Sequence, residues 1–183
     1  MVPPPEDRRM TQLSTVPVCD LAVHGAAGMA RRVRLKWHML RRREGEAPFK
    51  PTRLVEGWRA GASLEIDVRF TADDRAVVLH DATLGPSTTG QGLVAELPAA
   101  ALAGHVFKDA SGTPDPAAPC LTLERLLAAL EGVPAGAGAL LQLDLKMPAR
   151  GEVPAAAFEY VIAAAGPLAA RIVASSKRPE LAH

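Results

Sequence analysis

Residues 61–92 read GASLEIDVRFTADDRAVVLHDATLGPSTTGQG, and this stretch decides the predicted fold. Its segment Ser63–Phe70 alternates apolar and charged side chains, which is the period of a β-strand. The segment Ala76–His80 is apolar and rich in valine, so it predicts a second, buried strand. The residues TADDR between the two predict a turn, and a polar, glycine-rich loop follows His80.

Outside this stretch, segments typical of strands alternate with segments typical of helices. Such alternation predicts an α/β protein built on a parallel sheet or barrel. Residues 105–119 show no regular pattern and are interpreted as irregular. We predict further strands near residues 20–24, 139–146 and 171–176, and helices over residues 54–60, 94–104, 123–132 and 153–165.

The basic charge is concentrated in the first third of the chain. Residues 1–60 hold 12 of the 21 Lys and Arg residues, although the formal net charge of the whole chain is only +1. Residues 29–43, MARRVRLKWHMLRRR, place apolar side chains at helical spacing, which predicts a basic amphipathic helix. The segment 31–43 is interpreted either as a solvated outer helix or as a contact to an anionic membrane surface or an anionic substrate.

Composition excludes several classes of protein. Hydrophobic residues make up 48 % of the 183 residues, so a packed core is expected. Two cysteines are too few for a disulfide framework or a cysteine-rich zinc site. Because no apolar run suits a membrane span or a signal peptide, we expect a cytoplasmic protein, with peripheral membrane contact left open. Nucleic acid is not an expected partner, since the basic segment resembles no known module.

Charged side chains at strand ends are the candidate site. Glu65 and Asp67 share one face of a strand, where their charges repel unless a cation lies between them. Oxygen ligands favour Mg²⁺ or Ca²⁺, although the pair could instead lie on a solvated face. Asp144 and Lys146 repeat the spacing and could simply form an ion pair. His80 and His24 each follow an apolar strand, whereas His38 and His105 are interpreted as surface or loop histidines.

Together these residues resemble the glycerophosphodiester phosphodiesterases, which share a barrel with phosphatidylinositol-specific phospholipase C. The family shows a Gly-Ala step, E-x-D, V-x-x-H-D and a loop that ends in T-T-x-G. It also shows H-R-G after the first strand, P-x-L before a helix and a later E-x-K. The matching positions here are Gly61-Ala62, Glu65-x-Asp67, Val77-x-x-His80-Asp81, Leu84, Thr88-Thr89-Gly90, His24-Gly25, Pro119-x-Leu121 and Asp144-x-Lys146.

The resemblance implies a TIM (β/α)8-type barrel that hydrolyses glycerophosphodiesters to an alcohol and sn-glycerol 3-phosphate. By the resemblance, Glu65, Asp67 and Asp144 would hold one divalent cation, Mg²⁺ or Ca²⁺. His24 and His80 would be the general base and acid, and Lys146 would contact the substrate phosphate. The chain departs from the family in having Gly25 in place of an arginine that contacts phosphate, and Asp144 in place of a glutamate.

The chain is short for the fold that it resembles. About five of the eight barrel strands can be placed, whereas typical barrels have about 250 residues. We therefore expect an incomplete, C-terminally truncated barrel over residues 19–183, with a flexible arm at residues 1–18 and a basic insertion at 29–50. Two alternatives stay open: an inactive remnant that binds anions or membranes, and a phospholipase D-like lipid phosphodiesterase. The oligomeric state is not predicted.

Overall fold

The computed structural model describes residues 21–24, 30–33, 36–146 and 155–176. The chain divides into two compact units, Met1–Val33 and Arg34–His183. In the first unit, β1 (Leu21–His24) pairs antiparallel with β2 (Ala30–Val33). The predicted arm at residues 1–18 lies outside the described residues.

The second unit carries the main sheet and its helices. In chain order its elements are β3 (Lys36–Trp37), α1 (Pro51–Ala60), β4 (Ser63–Phe70), β5 (Ala76–Val78), β6 (Val106–Lys108), β7 (Pro114–Pro119), α2 (Leu123–Leu127), β8 (Leu140–Leu145), α3 (Ala155–Ala165) and β9 (Ile172–Ser176). Short 3-10 helices lie at His38–Leu40, Val94–Glu96, Ala99–Leu102, Ala128–Leu130 and Gly166–Arg171. Among the described residues, no helix is long and apolar enough to cross a membrane.

The main sheet is mostly parallel and has the strand order β3-β4-β8-β9. Strands β3 and β5 pair with the same edge of β4, and β8 pairs with the other edge. Strand β3 is parallel to the beginning of β4, whereas β5 is antiparallel to its end. Together with the helices, this arrangement confirms the predicted α/β class and the incomplete barrel. The alternation of Ser63–Phe70 therefore correctly indicated a central strand.

One face of the sheet packs on the helices and forms the core. Leu64, Ile66 and Val68 of β4 are fully buried there, together with Leu54 and Trp58 of α1. Helix α1 begins with a proline in its first turn and ends at Gly61, whose φ of 75° suits glycine. Because this face is apolar, the opposite face of β4 presents its charged residues to the inside of the incomplete barrel.

Three predictions about local structure were wrong. The segment 29–43 is not a helix, because Ala30–Val33 and Lys36–Trp37 pair as strands and His38–Leu40 forms a turn. The strand predicted near residues 20–24 is present as β1, but it pairs with β2 and is not a strand of the main sheet, in which β3 pairs with the beginning of β4. Residues 105–119 are not irregular but form the hairpin β6–β7. In each case the pairing with a partner strand decided the outcome, and local sequence patterns do not specify such pairings.

Candidate active site

Three carboxylates meet on the inner face of the sheet. Glu65 and Asp67 lie on β4, and the parallel register places Asp144 of β8 directly beside Asp67. One oxygen from each of the three carboxylates lies within 4.8 Å of the other two. The structure thus brings together the three predicted metal ligands, which come from strands that are far apart in sequence.

Two of these carboxylates are withdrawn from water. Asp67 is fully buried, and its Oδ2 has no hydrogen-bond partner among the described residues. Glu65 is 3 % exposed, and its Oε2 accepts a hydrogen bond of 2.8 Å from the backbone N–H of Met39. Burial raises the pKa of Glu65 above its usual range, and the negative charge of Asp67 acts in the same direction.

This donor set fits a divalent cation. Leaving a buried carboxylate oxygen without a partner is costly, and a cation placed between the three carboxylates would remove both that cost and their mutual repulsion. Oxygen-only ligands favour Mg²⁺ or Ca²⁺ over softer metals. The interpretation of Glu65 and Asp67 as a solvated strand face does not agree with their burial.

Lys146 supplies a positive charge beside the carboxylates. Its Nζ lies 2.6 Å from Asp144 Oδ2 and 2.9 Å from Asp67 Oδ1. Burial alone would lower the pKa of Lys146, but the hydrogen bonds to Asp144 and Asp67 raise it above its usual range. The ion pair expected as the simpler alternative therefore exists, and it points the ammonium into the same site.

His80 lies at the edge of β4 with which β3 and β5 pair. The backbone N–H of Leu79 donates to the carbonyl of Asp67, so the chain continues alongside β4 after β5 ends. His80 therefore lies beside the middle of β4. The His80 ring is half exposed, and its Nδ1 lies 3.0 Å from Asp81 Oδ1. Burial alone would raise the pKa of Asp81, but its hydrogen bond with His80 and the neighbouring positive charges hold it below the usual range.

A second histidine at the site is His38, for which the sequence pattern predicts a surface or loop position. It follows β3, and its Nε2 lies 3.8 Å from Glu65 Oε2, with the ring 63 % exposed. The sequence contains a signal for this position, because VRLKWH at residues 33–38 alternates apolar and charged side chains like Ser63–Phe70. It also ends in histidine, as the apolar segment at residues 20–24 does. The basic character of the segment obscured that alternation.

The backbone after His38 turns sharply away from β4. Met39 and Leu40 both have positive φ angles, 54° and 56°, in the left-handed region that is costly for large side chains. This turn aims the Met39 N–H at Glu65 and leaves the rest of the β4 edge to β5. The local strain therefore accompanies a contact that holds one of the three carboxylates.

His24 is not placed at this site by the structure. It is the last residue of β1, whose partner is β2, and its side chain lies outside the part of the chain that is described. Its role as a general base or acid stays a prediction.

The basic segment is partly neutralised within the protein. Arg42 pairs with Glu56 of α1, and Arg53 pairs with both Glu46 and Glu56. Arg41 Nε donates to the carbonyl of Glu46 at 2.9 Å. Ion pairing holds the loop that leads away from His38 against α1, which leaves fewer free charges in residues 31–43 than the sequence suggests.

Comparison with known proteins identifies relatives of this arrangement. The sequence model of the Glycerophosphoryl diester phosphodiesterase family matches residues 56–165. Among curated proteins, none matches the chain.

Solved structures with a similar fold include three phosphodiesterases. A glycerophosphodiester phosphodiesterase from Agrobacterium tumefaciens is 22 % identical with a TM-score of 0.56, over 81 % of this chain and 58 % of that one. One from Parabacteroides distasonis is 22 % identical with a TM-score of 0.55, over 77 % and 46 %. An Oleispira antarctica phosphodiesterase, solved with the product sn-glycerol-3-phosphate, is 18 % identical with a TM-score of 0.55, over 80 % and 58 %. The chain thus spans between 46 % and 58 % of the length of these structures.

Proposed function

Because the chain belongs to the glycerophosphoryl diester phosphodiesterase family, we propose that it hydrolyses glycerophosphodiesters to an alcohol and sn-glycerol 3-phosphate in a metal-dependent reaction. The observation that carries this proposal is the acidic trio Glu65, Asp67 and Asp144, in which the buried Oδ2 of Asp67 has no hydrogen-bond partner among the described residues. A phosphodiester is an anion, so its hydrolysis requires positive charge near the phosphorus. The trio offers a place to hold that charge.

The acidic trio would hold one Mg²⁺ or Ca²⁺ ion. Such an ion would supply charge stabilisation to the phosphoryl oxygens in the transition state. Lys146, which already contacts Asp67 and Asp144, would neutralise another phosphate oxygen. Its two carboxylate partners keep the ammonium charged and oriented toward the site.

Two histidines would move the protons. As water adds to phosphorus and the bond to the alcohol oxygen breaks, one imidazole takes a proton from the water and the other gives one to the leaving oxygen. We propose His80 for one role. For the other, the position of His38 beside Glu65 favours it over His24. Both His38 and His80 lie at the β4 edge, which β3 and β5 share.

The central experiment measures turnover of glycerophosphodiesters by the purified chain. We expect activity that is lost on chelation, returns with Mg²⁺ or Ca²⁺, and falls at least about 100-fold in Glu65→Ala and His80→Ala, since each change removes several kcal/mol of transition-state stabilisation. Asp74→Asn, a change in a nearby turn, is the matched control and should retain activity. Equal turnover in the wild type and in both site variants would reject the proposal.

The two candidate histidines of the first strands can be separated in the same assay. His38→Gln should lower kcat by about 100-fold or more, as expected for loss of a general acid or base, whereas His24→Gln should not. The reverse result would assign the role to His24 and would reject the placement of His38 at the reacting phosphate.

The product distinguishes the remaining candidate functions. A phospholipase D-like lipid phosphodiesterase would release a cyclic phosphate or accept a lysophospholipid, which chromatography of the products would reveal. An inactive module that binds anions or membranes would show no turnover but would sediment with anionic liposomes.

A role in lipid metabolism, a cytoplasmic location and membrane contact through residues 31–43 stay predictions. Liposome binding unchanged by replacement of Arg41, Arg42 and Arg43 would reject that contact.

A further inference from the structure

Three cationic side chains lie on the inner face of the sheet, and they differ in what they bind. Lys146 is engaged by Asp67 and Asp144. Lys36 lies nearer the beginning of the strands and donates to Gln142 Oε1 at 3.1 Å. Arg69 has no carboxylate within ion-pair distance among the described residues. Its hydrogen-bonding capacity is therefore the least used of the three.

Arg69 shares a face with the metal-binding carboxylates. It follows Glu65 and Asp67 at spacings of four and two on β4, so all three side chains leave the strand on the same side. Its Nε donates a hydrogen bond of 2.8 Å to the carbonyl oxygen of His80. That bond fixes the guanidinium beside the candidate acid or base, and its two terminal nitrogens have no hydrogen-bond partner among the described residues.

The surroundings of Arg69 are unusual for an arginine that has only a structural role. The side chain is half-buried, so its charge is partly withdrawn from water. A guanidinium has five N–H donors, and one of them is used here among the described contacts. Desolvating a charge without pairing it is costly, and a bound anion would remove that cost.

We propose that Arg69 binds non-bridging oxygens of the substrate phosphate through its terminal nitrogens, with the His80 carbonyl holding its orientation. The planar fork of a guanidinium matches two phosphate oxygens, whereas the Lys146 ammonium acts as a point charge. Arg69 thus supplies a second cation at the phosphate, on the opposite strand edge from Lys146. This inference rests on the proposed function, since it takes the phosphodiester site as its setting.

The test measures binding rather than turnover. The dissociation constant of sn-glycerol 3-phosphate is determined calorimetrically on the full chain with saturating Ca²⁺, and the affinity for Ca²⁺ alone is measured in parallel. Arg69→Gln keeps an amide that can donate to the His80 carbonyl but removes the charge. We expect it to weaken phosphate binding about 10- to 100-fold, the range of a charge-assisted hydrogen bond, with Ca²⁺ affinity within about 3-fold of wild type.

Two further variants control for charge and for folding. Arg59→Met removes an exposed arginine from the end of α1 and should bind the phosphate like the wild type. Arg69→Lys keeps the charge without the fork and should lose only part of the affinity, about 3- to 10-fold. If Arg69→Gln fails to fold, the result with Arg69→Lys decides, and unchanged affinity in that variant would overturn the proposal.

If Arg69 only positioned His80, its effect on phosphate binding would depend on the His80 side chain. A double variant that lacks both side chains tests this dependence. In a His80→Ala background, Arg69→Gln should still weaken phosphate binding by the same factor. Loss of that effect, or wild-type affinity in Arg69→Gln itself, would overturn the proposal. Absence of phosphate binding by the wild-type chain would overturn it as well. Phosphate binding that depends on Arg69 without any turnover would instead support Arg69 and reject the proposed hydrolysis.

Discussion

At the scale of single residues, Asp67 contributes most to the character of the site. It is fully buried, and among the described residues its Oδ2 has no hydrogen-bond partner and its one ion pair is with Lys146. Such a carboxylate stabilises the fold little by itself, because removing its charge from water is costly. Its location is explained if a cation is the partner that it lacks.

Replacing Asp67 by asparagine separates metal binding from folding. We expect Asp67→Asn to melt, without metal, at the same temperature as the wild type or above it, because a buried charge is removed and Lys146 keeps Asp144. A divalent cation at 100 times its dissociation constant should stabilise the wild type by about 2.7 kcal/mol, or roughly 5–10 °C. The variant should lose that shift.

The control for this measurement is Asp74→Asn, in the turn between β4 and β5. Asp74 has a φ of 57°, which asparagine tolerates, so this variant should keep the whole cation-dependent shift. A cation-dependent shift in Asp67→Asn as large as in the wild type would contradict the assignment of Asp67 as a ligand.

At the scale of elements, the packing of α1 against β3 and β4 places His38. Gly57 lies where the helix approaches the sheet, and a Cβ atom there would lie 2.5 Å from Leu64 Cδ2 and 3.2 Å from the ring of Trp37. The short strand β3 can therefore lie beside β4 only because α1 has no side chain at this point. The histidine that follows β3 is positioned by this close contact.

Gly57→Ala tests the contact through the sign of its effect. Alanine should stabilise a helix interior by about 1 kcal/mol relative to glycine, but the overlap with Leu64 and Trp37 should cost about 1–3 kcal/mol. We expect net destabilisation in a urea titration, whereas Thr52→Ala on the exposed side of α1 should be nearly neutral. A Gly57→Ala variant more stable than the wild type would show that α1 does not pack this closely.

The loop between β3 and α1 is held by ion pairs that depend on pH. Burial alone would raise the pKa of Glu46, but hydrogen bonds from Arg53 and the Arg42 backbone hold it below the usual range. A folded-state pKa below the unfolded value gives stability that is present above the unfolded pKa and is lost as the pH falls through the folded one. The contribution of Glu46 should therefore be complete at neutral pH and disappear in acid.

The corresponding measurement compares Glu46→Gln with the wild type in urea at two pH values. Glu46 is 15 % and Arg53 25 % exposed, so we expect a loss of about 1 kcal/mol near neutral pH and a much smaller difference near pH 3. Glu131→Gln, at an exposed position, should show no such dependence. A difference that is constant with pH would exclude ionised Glu46 as its source.

At the scale of the whole molecule, β9 is the last strand of the main sheet among the described residues. Strand β4 has neighbours on both sides, whereas β9 has one strand neighbour, β8, among the described residues, and Val173 on it is 49 % exposed. The chain spans between 46 % and 58 % of the length of the solved structures cited above. The site nevertheless lies on β4 and β8, in the best-covered part of the sheet.

Hydrogen exchange should reflect this difference in coverage. We expect amides of β4 and β8 to exchange slowest, near the global limit, and amides of β9 to exchange markedly faster, because part of their hydrogen-bonding edge faces away from β8. Mass spectrometry of peptic peptides can compare the strands directly. Protection of β9 equal to that of β4 would show that another strand covers this edge in solution.

The sequence by itself determined the features that follow from local periodicity. The alternation of Ser63–Phe70 placed Glu65 and Asp67 on one face, and the apolar run before His80 placed that histidine at the end of a strand. The tertiary structure alone decided that Asp144 lies beside Asp67 and that β3 carries His38 to Glu65. Pairings of this kind depend on contacts between distant segments, and local patterns do not specify them. For the same reason the basic segment, expected as a helix, forms strands where partner strands offer hydrogen bonds.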